Sequence, residues 1–203
     1  MFNASNMTTR FTVFFAILVI SFSFASCSPD ADQSIEVPDR VDEKQLISDL
    51  KFLASDELEG RLTGTDGNRI AREFIEERFD SLNLSMFGES YRHLFNHVNP
   101  RSGDEFIDAV NLIGYVEGEI SPDRYIVVTA HYDHLGMDGD EIYNGADDNA
   151  SGTSALLAAA EFFSDNRPEN SIVFIALDAE EQGLGGARWF VDNPVVPLSR
   201  IVM

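Results

Sequence analysis

Cysteine is almost absent from this 203-residue chain, because Cys27 is the only one. A disulfide framework is therefore excluded, and stability must come from a hydrophobic core. Positive charge is also scarce, with 14 Lys and Arg residues against 35 Asp and Glu residues and a formal net charge of -21. Such an acidic surface repels phosphate backbones, so we expect no nucleic-acid partner. It is typical of a solubility shell, and a preference for cationic substrates is the alternative.

The sequence contains no internal repeat and no low-complexity tract. Hydrophobic residues make up 44% of the chain, charged residues make up 24%, and there are 16 Phe residues. This composition is that of a globular protein and excludes global disorder. The length suits one domain of ordinary size or a larger domain that has been cut short.

The N-terminus carries one positive charge, Arg10, before an apolar run at residues 11–19. The run is too short to cross a bilayer and leads into small residues, which indicates a signal peptide. The sequence Ala25-Ser26-Cys27 resembles a bacterial lipobox, although Phe24 stands where Leu is usual. We therefore predict a signal peptide over residues 1–27, lipid attachment at Cys27 and a plain secretory signal as the alternative.

These features predict an exported protein of the bacterial cell envelope, on the periplasmic or outer-surface side. Its contact with the membrane would be through the lipid anchor only. Residues 28–40 are polar and acidic with two prolines, which is typical of a flexible tether. The remaining residues, 41–203, are predicted to form the functional domain.

Hydrophobic periodicity predicts two helices and then a change to strands. Leucines at i, i+4 and i+7 indicate a helix over 42–54, and an apolar stripe over 71–82 indicates a second helix after a Gly-rich turn. Strands are predicted at 109–116, 125–130 and 172–177, with a helix at 155–163 that is capped by Asn149 or Ser151. Strand, helix and strand in this order predict an α/β sandwich with a parallel central portion.

Polar side chains follow the two buried strands, where open α/β sheets bind ligands. Grouped carboxylates are costly when partly buried unless a cation neutralises them. Imidazole and carboxylate together suit zinc, and a two-metal site needs a bridging carboxylate. The candidates at the strand ends and in the loop between them are His131, Asp133, His134, Asp147, Asp148, Asn149, Asp178, Glu180 and Glu181.

The spacing of these residues allows neighbouring side chains to have different chemical roles. His131 and Asp133 alternate, so in extended backbone both point the same way, and one can bind metal while the other hydrogen-bonds its neighbour. Glu180 and Glu181 are adjacent and point in different directions. One can therefore act as a ligand and the other as a base facing the substrate.

The strings HYDHLG, GADDNASG and ALDAEEQGLGGARWF, taken in this order, resemble the di-zinc aminopeptidases of metallopeptidase family 28 (clan MH). The earlier FLASDELEGRLTGTDGN resembles the N-terminal segment of secreted bacterial members. The resemblance implies a three-layer α/β/α sandwich with a mixed, centrally parallel sheet. It also implies two Zn²⁺ ions and hydrolysis of the N-terminal residue from peptides or proteins.

By motif position, the resemblance implies that His131 binds one zinc ion, Glu181 binds the other and Asp148 bridges them. It implies that Glu180 is the general base for a metal-bridged water and that Asp133 is the carboxylate beside the histidine. Asp147 and Asn149 are expected to shape the bridging loop. Three histidines have no matching role and are interpreted as structural or surface residues, namely His134, His93 and His97.

The chain departs from the family pattern because two further ligands, an aspartate and a late histidine, do not occur before Met203. We therefore expect a fold that is incomplete at the C-terminus, with these ligands beyond Met203 and no peptidase activity in the 203 residues alone. We also expect the apolar strand 172–177 to lie at an unprotected sheet edge. The alternatives are a single-zinc enzyme similar to glutaminyl cyclase and a non-catalytic, receptor-like homologue.

Overall fold

The computed structural model describes residues 41–203, which belong to one compact unit. The predicted signal peptide, Cys27 and the tether lie outside the described residues. Four helices are α1 (Glu43–Leu53), α2 (Asp66–Ser81), α3 (Ser151–Asp165) and α4 (Gly185–Asp192). Seven strands are β1 (Ser85–Met86), β2 (Arg92–Val98), β3 (Glu105–Val116), β4 (Ser121–His131), β5 (Gly136–Asp138), β6 (Glu141–Tyr143) and β7 (Asn170–Leu177). Short 3-10 segments occupy Asp56–Arg61 and Leu198–Arg200.

The main sheet is mixed, as predicted. Its path is β1-β3-β7-β4, and β2 also pairs with β3. β4 and β7 are parallel and are joined through α3, whereas β3 and β7 are antiparallel. A helical crossover between neighbouring parallel strands is the arrangement that βαβ units require.

Helices cover both faces of the sheet, and β7 is apolar from Ile172 to Leu177. One set of its alternating side chains, including Phe174, packs with α1, α2 and α3. The other set, including Ile175, packs with Phe190 of α4. Alternate residues of a strand face opposite sides, and here both sides are dry.

The expectation that residues 172–177 form an unprotected edge is wrong. β7 lies between β3 and β4, and both neighbours pair with its central residues. β3 pairs in an antiparallel direction with the edge of β7 that was expected to be exposed. β4 instead borders the sheet on that side, where Tyr125 makes a bridge to Ile201.

The helices begin differently: α3 begins at Ser151 after Ala150, which makes no side-chain cap hydrogen bond, so neither predicted cap residue is its N-cap. Asp42 caps α1 by accepting hydrogen bonds from the backbone of Lys44 and Gln45. Arg78 of α2 contacts Asp49 of α1 at 3.3 Å and Glu161 of α3 at 2.9 Å, so one guanidinium joins three helices. None of the helices among residues 41–203 is long and apolar enough to span a membrane.

Replacing Ile175 with Ala is predicted to lower the free energy of unfolding by about 2–5 kcal/mol, because it leaves a cavity at a fully buried position. Ile107→Ala is the matched control, since Ile107 also lies in a strand but is 61% exposed. The control should change stability by no more than about 0.5 kcal/mol. Equal losses in urea denaturation of the two variants would contradict the described packing.

Candidate metal centre

The parallel pairing of β4 and β7 brings the predicted site together. His131 at the end of β4 lies opposite Leu177 at the end of β7, and the amide of Tyr132 donates to the carbonyl of Leu177 at 2.9 Å. The segments 131–134 and 178–181 therefore leave the same edge of the sheet side by side. This is the carboxyl edge at which the sequence predicts a metal site.

The carboxylate of Asp133 holds the acidic segment in place. It is fully buried and accepts hydrogen bonds from the amides of Glu180 at 3.1 Å and Glu181 at 3.2 Å. Its Oδ1 also lies 3.6 Å from Nδ1 of His131. Asp133 thus lies beside the histidine and also binds the backbone of both glutamates.

His131 presents one ring nitrogen to the site. Its Nδ1 lies 3.1 Å from the backbone oxygen of Asp133, and a carbonyl oxygen can only accept, so Nδ1 carries the hydrogen. Nε2 is the nitrogen that can bind a cation in place of a proton, and it lies 3.0 Å from Oδ1 of Asp148. Burial lowers the pKa of His131, but Asp133 and Glu180 outweigh burial and raise the pKa to about 9.

The turn that carries Asp148 is tied to the end of β4. Thr153 donates to the backbone oxygen of His131 at 2.7 Å, and Asn149 Nδ2 donates to the same oxygen at 3.3 Å. Asn149 Oδ1 also accepts from the amide of Gly152 at 3.1 Å, at the start of α3. The Asp148 side chain remains 65% exposed, so it is open to a ligand.

A glycine is required beside this turn. Gly145 has φ of 53°, and a Cβ there would lie 2.3 Å from the backbone oxygen of Asp148 and 2.5 Å from the ring of His134. Any larger residue would push one of the two away. Gly145 therefore allows His134 and the Asp148 turn to approach each other.

His134 lies among the candidate ligands, although the comparison of motifs gave it no role. Its ring, Asp148 and Glu181 each offer a ligand atom, and these atoms all lie within 4.8 Å of one another. Nδ1 of His134 lies 2.7 Å from Oε1 of Glu181. Its place three residues after His131, at the same strand end, was the available signal. His97 does not belong to this group, and its Nε2 contacts the backbone oxygen of Gln182.

The two adjacent glutamates diverge, as their spacing predicts. Glu181 contacts His134, whereas Glu180 interacts electrostatically with His131. Burial raises the pKa of Glu180, the charge on His131 lowers it, and the nearby carboxylates of Glu181 and Asp133 raise it. The net effect of burial and these charges is a raised pKa of Glu180.

Asp178 does not point into the site, although it follows the same strand. It is fully buried, and its carboxylate accepts hydrogen bonds from the surrounding groups. Burial and the nearby Asp133 raise the pKa of Asp178, while the donated bonds lower it. The donors are the Thr63 hydroxyl, the Asn68 side-chain amide, the Tyr132 hydroxyl, and the amides of Val110 and Ala179. Its role is to hold segments together beneath the site.

The imidazole nitrogens and carboxylate oxygens that converge here form a donor set that suits zinc. A mixed, helix-flanked sheet with such a set at its carboxyl edge defines a zinc-peptidase type of fold. Residues 111–203 match the model for peptidase family M28. The matched part of the chain contains every candidate ligand and is similar to that family.

Known proteins resemble this chain in sequence or in fold. The chain is 39% identical over 89 residues to the "Probable zinc metalloprotease" of Pyricularia oryzae, which covers 41% of the chain and 17% of that relative. The structure resembles a glutaminyl cyclase of Bacteroides thetaiotaomicron with a TM-score of 0.66 and 22% identity. It also resembles a leucine aminopeptidase precursor of the same organism, with a TM-score of 0.61 and 23% identity. Each likeness covers 80% of this chain and 60% of the solved structure, and shows the fold.

Replacing His134 with Phe is predicted to weaken zinc binding by about 10- to 100-fold, because Glu181 loses the partner that orients it. His93→Phe is the control, since His93 lies beside Trp189 and not in the site. Competition with a chromophoric chelator measures both affinities. An unchanged affinity in the His134 variant, or an equal loss in the control, would show that His134 does not support the metal.

Proposed function

We propose that this protein is a zinc-dependent aminopeptidase that hydrolyses N-terminal residues from peptides. The observation that carries the proposal is that Asp148 lies close to both His131 and His134. Its Oδ1 lies 3.0 Å from Nε2 of His131, and it also belongs to the group formed with His134 and Glu181. A carboxylate with nitrogen or oxygen donors on two sides can bridge two metal ions.

The donors divide into two sets around that bridge. His131 and Asp148 would hold one zinc ion, and Asp148 and Glu181 would hold the other, with His134 beside Glu181. Zinc in these positions would polarise a peptide carbonyl and make a water molecule more acidic. The expected further aspartate and histidine ligands would complete the two sets.

Glu180 is proposed as the general base. Its backbone is fixed by Asp133 and its side chain diverges from the proposed ligand Glu181. The raised pKa favours proton acceptance, since a base with a higher pKa is stronger. Glu180 would take the proton of the attacking water and deliver it to the leaving amine.

A single-zinc glutaminyl cyclase activity is the second candidate, because the same fold occurs in a glutaminyl cyclase. The two candidates differ in the number of metals and in the product. The bridging position of Asp148 favours the hydrolase, since a single zinc needs no bridge. A receptor-like homologue would show neither activity with zinc bound.

The substrates are proposed to be peptide or protein N-termini, whose positive charge suits the acidic chain.

Export and lipid attachment at Cys27 are proposed from the N-terminal sequence. Radiolabelled lipid incorporation in a bacterium that processes lipoproteins should occur in the natural chain and not in Cys27→Ser. A wholly soluble, unlabelled natural protein would contradict the anchor.

Glu180→Gln in the full-length protein is predicted to lower kcat for aminoacyl-anilide hydrolysis by at least about 10²- to 10⁴-fold while zinc stays bound, because the amide cannot accept the proton. Glu119→Gln, at an exposed position, is the matched control and should keep its activity. Metal content is measured in the same samples.

The same assay separates the candidates. Hydrolysis that a chelator abolishes and zinc restores supports the aminopeptidase. Cyclisation of an N-terminal glutaminyl peptide without anilide hydrolysis would assign the second candidate. Near-normal hydrolysis by the Glu180 variant would remove Glu180 as the base.

A further inference from the structure

The segment Asp56–Arg61, which we call the 56–61 turn, comes from a motif to which the proposed chemistry gives no role. Arg61 is 1% exposed, and its guanidinium donates to four backbone carbonyls instead of forming a direct ion pair. A buried charge is costly unless its hydrogen bonds are satisfied, and four backbone carbonyls supply the acceptors here. The carbonyls are those of Leu53, Tyr132 at 2.9 Å, Asn144 at 2.7 Å and Gly145 at 3.1 Å.

Three of these carbonyls belong to the segments that carry the candidate ligands. Tyr132 lies between His131 and Asp133, and Asn144 and Gly145 come directly before the turn that carries Asp148. One planar side chain thus binds both segments at once. The two segments are separated along the chain, and Arg61 joins them.

The backbone of Arg61 adds to this connection. Its carbonyl oxygen accepts from the amide of His134 at 3.2 Å and from the side chain of Asn68 at 3.3 Å. The 56–61 turn therefore also sets the position of His134. Every candidate ligand segment on the β4 side of the site contacts this one residue.

The residues around Arg61 fit the same arrangement. Gly60 has φ of +70°, and a Cβ there would lie 2.3 Å from the backbone oxygen of Gly136 and 2.7 Å from that of Tyr143. The turn thus packs directly on the β5–β6 hairpin that leads to Gly145. Asp56 accepts from the side chain of Asn144 at 2.7 Å.

The charge of Arg61 also suits its surroundings. Burial lowers the pKa of Arg61 to about 10, while Asp133 and Asp148 raise it. The guanidinium therefore stays protonated at neutral pH. It supplies a fixed positive charge beside a group of carboxylates, which reduces their mutual repulsion.

We propose that Arg61 is a positioning residue that sets the relative placement of His131 and Asp148 through the backbone carbonyls of Tyr132, Asn144 and Gly145. The metal-binding consequence rests on the proposed function. The placement itself is a property of the chain and is measurable without metal.

The test compares three variants of the full-length protein. Arg61→Met keeps the length of the side chain and removes its donors, and Arg61→Lys keeps the charge but reaches fewer carbonyls. Arg78→Met is the matched control, because Arg78 is also largely buried but joins α1 to α3 through Asp49 and Glu161. Thermal unfolding, zinc affinity and hydrogen exchange are measured for each.

Arg61→Met is expected to weaken zinc binding by about 10- to 100-fold, as when other groups that orient ligands are lost. It should also increase deuterium uptake of residues 144–151 in the metal-free protein, relative to residues 170–177. Arg61→Lys should lie between the natural protein and Arg61→Met. Arg78→Met should lower Tm but leave both zinc affinity and the uptake of 144–151 unchanged.

A lowered Tm with natural zinc affinity and natural uptake of 144–151 in both Arg61 variants would overturn the proposal and leave Arg61 a general stabiliser. If Arg61→Met does not fold, the lysine variant decides by the same two readouts. Failure of the natural protein to bind zinc would contradict the proposed function instead. The exchange comparison would then still support or overturn the positioning role.

Discussion

The parallel pairing of β4 with β7 is the constraint on which the site depends. It places His131 opposite Leu177, so the segments that follow both strands leave the sheet together. Asp133 from one segment then accepts hydrogen bonds from the amides of the other. The carboxylate of Asp178 accepts from the hydroxyls of Thr63 and Tyr132. The strand pairing determines where the two segments leave the sheet, and the hydrogen bonds to the buried carboxylates hold the segments together.

The site concentrates acidic groups, and the structure contains several devices that make this tolerable. Asp133 and Asp178 are surrounded by hydrogen-bond donors, which stabilise negative charge away from water. Arg61 contributes a buried positive charge on one side. A cation would balance the charge of Asp148 and the glutamates at the rim. The raised pKa of His131 has the same cause, because nearby carboxylates favour its protonated form.

Much of the fold could be predicted from the sequence because its signals are local. The apolar stripes indicated α1 and α2, and the continuous apolar runs indicated β4 and β7 with α3 between them. Placing His131, Asp148 and Glu181 at one edge needed only the rule that ligands bind at the carboxyl ends of parallel strands. The structure brings these three together with His134.

What could not be predicted depends on contacts between distant parts of the chain. Hydrophobic pattern does not specify a strand's neighbours, so the pairing of β3 with β7 was missed. Asp178 and Glu180 look alike in the sequence, but Asp178 turns inward to Thr63 and Tyr132. Arg61 carries no chemical signature, because its partners are backbone carbonyls from three other segments.

Anomalous diffraction at the zinc absorption edge tests the central claim most directly. In crystals of the full-length protein grown with zinc, the account predicts two peaks about 3.5–4 Å apart on either side of the Asp148 carboxylate. One peak should lie against His131 and the other against Glu181. A single peak that does not involve Asp148, or no peak at this edge of the sheet, would contradict it.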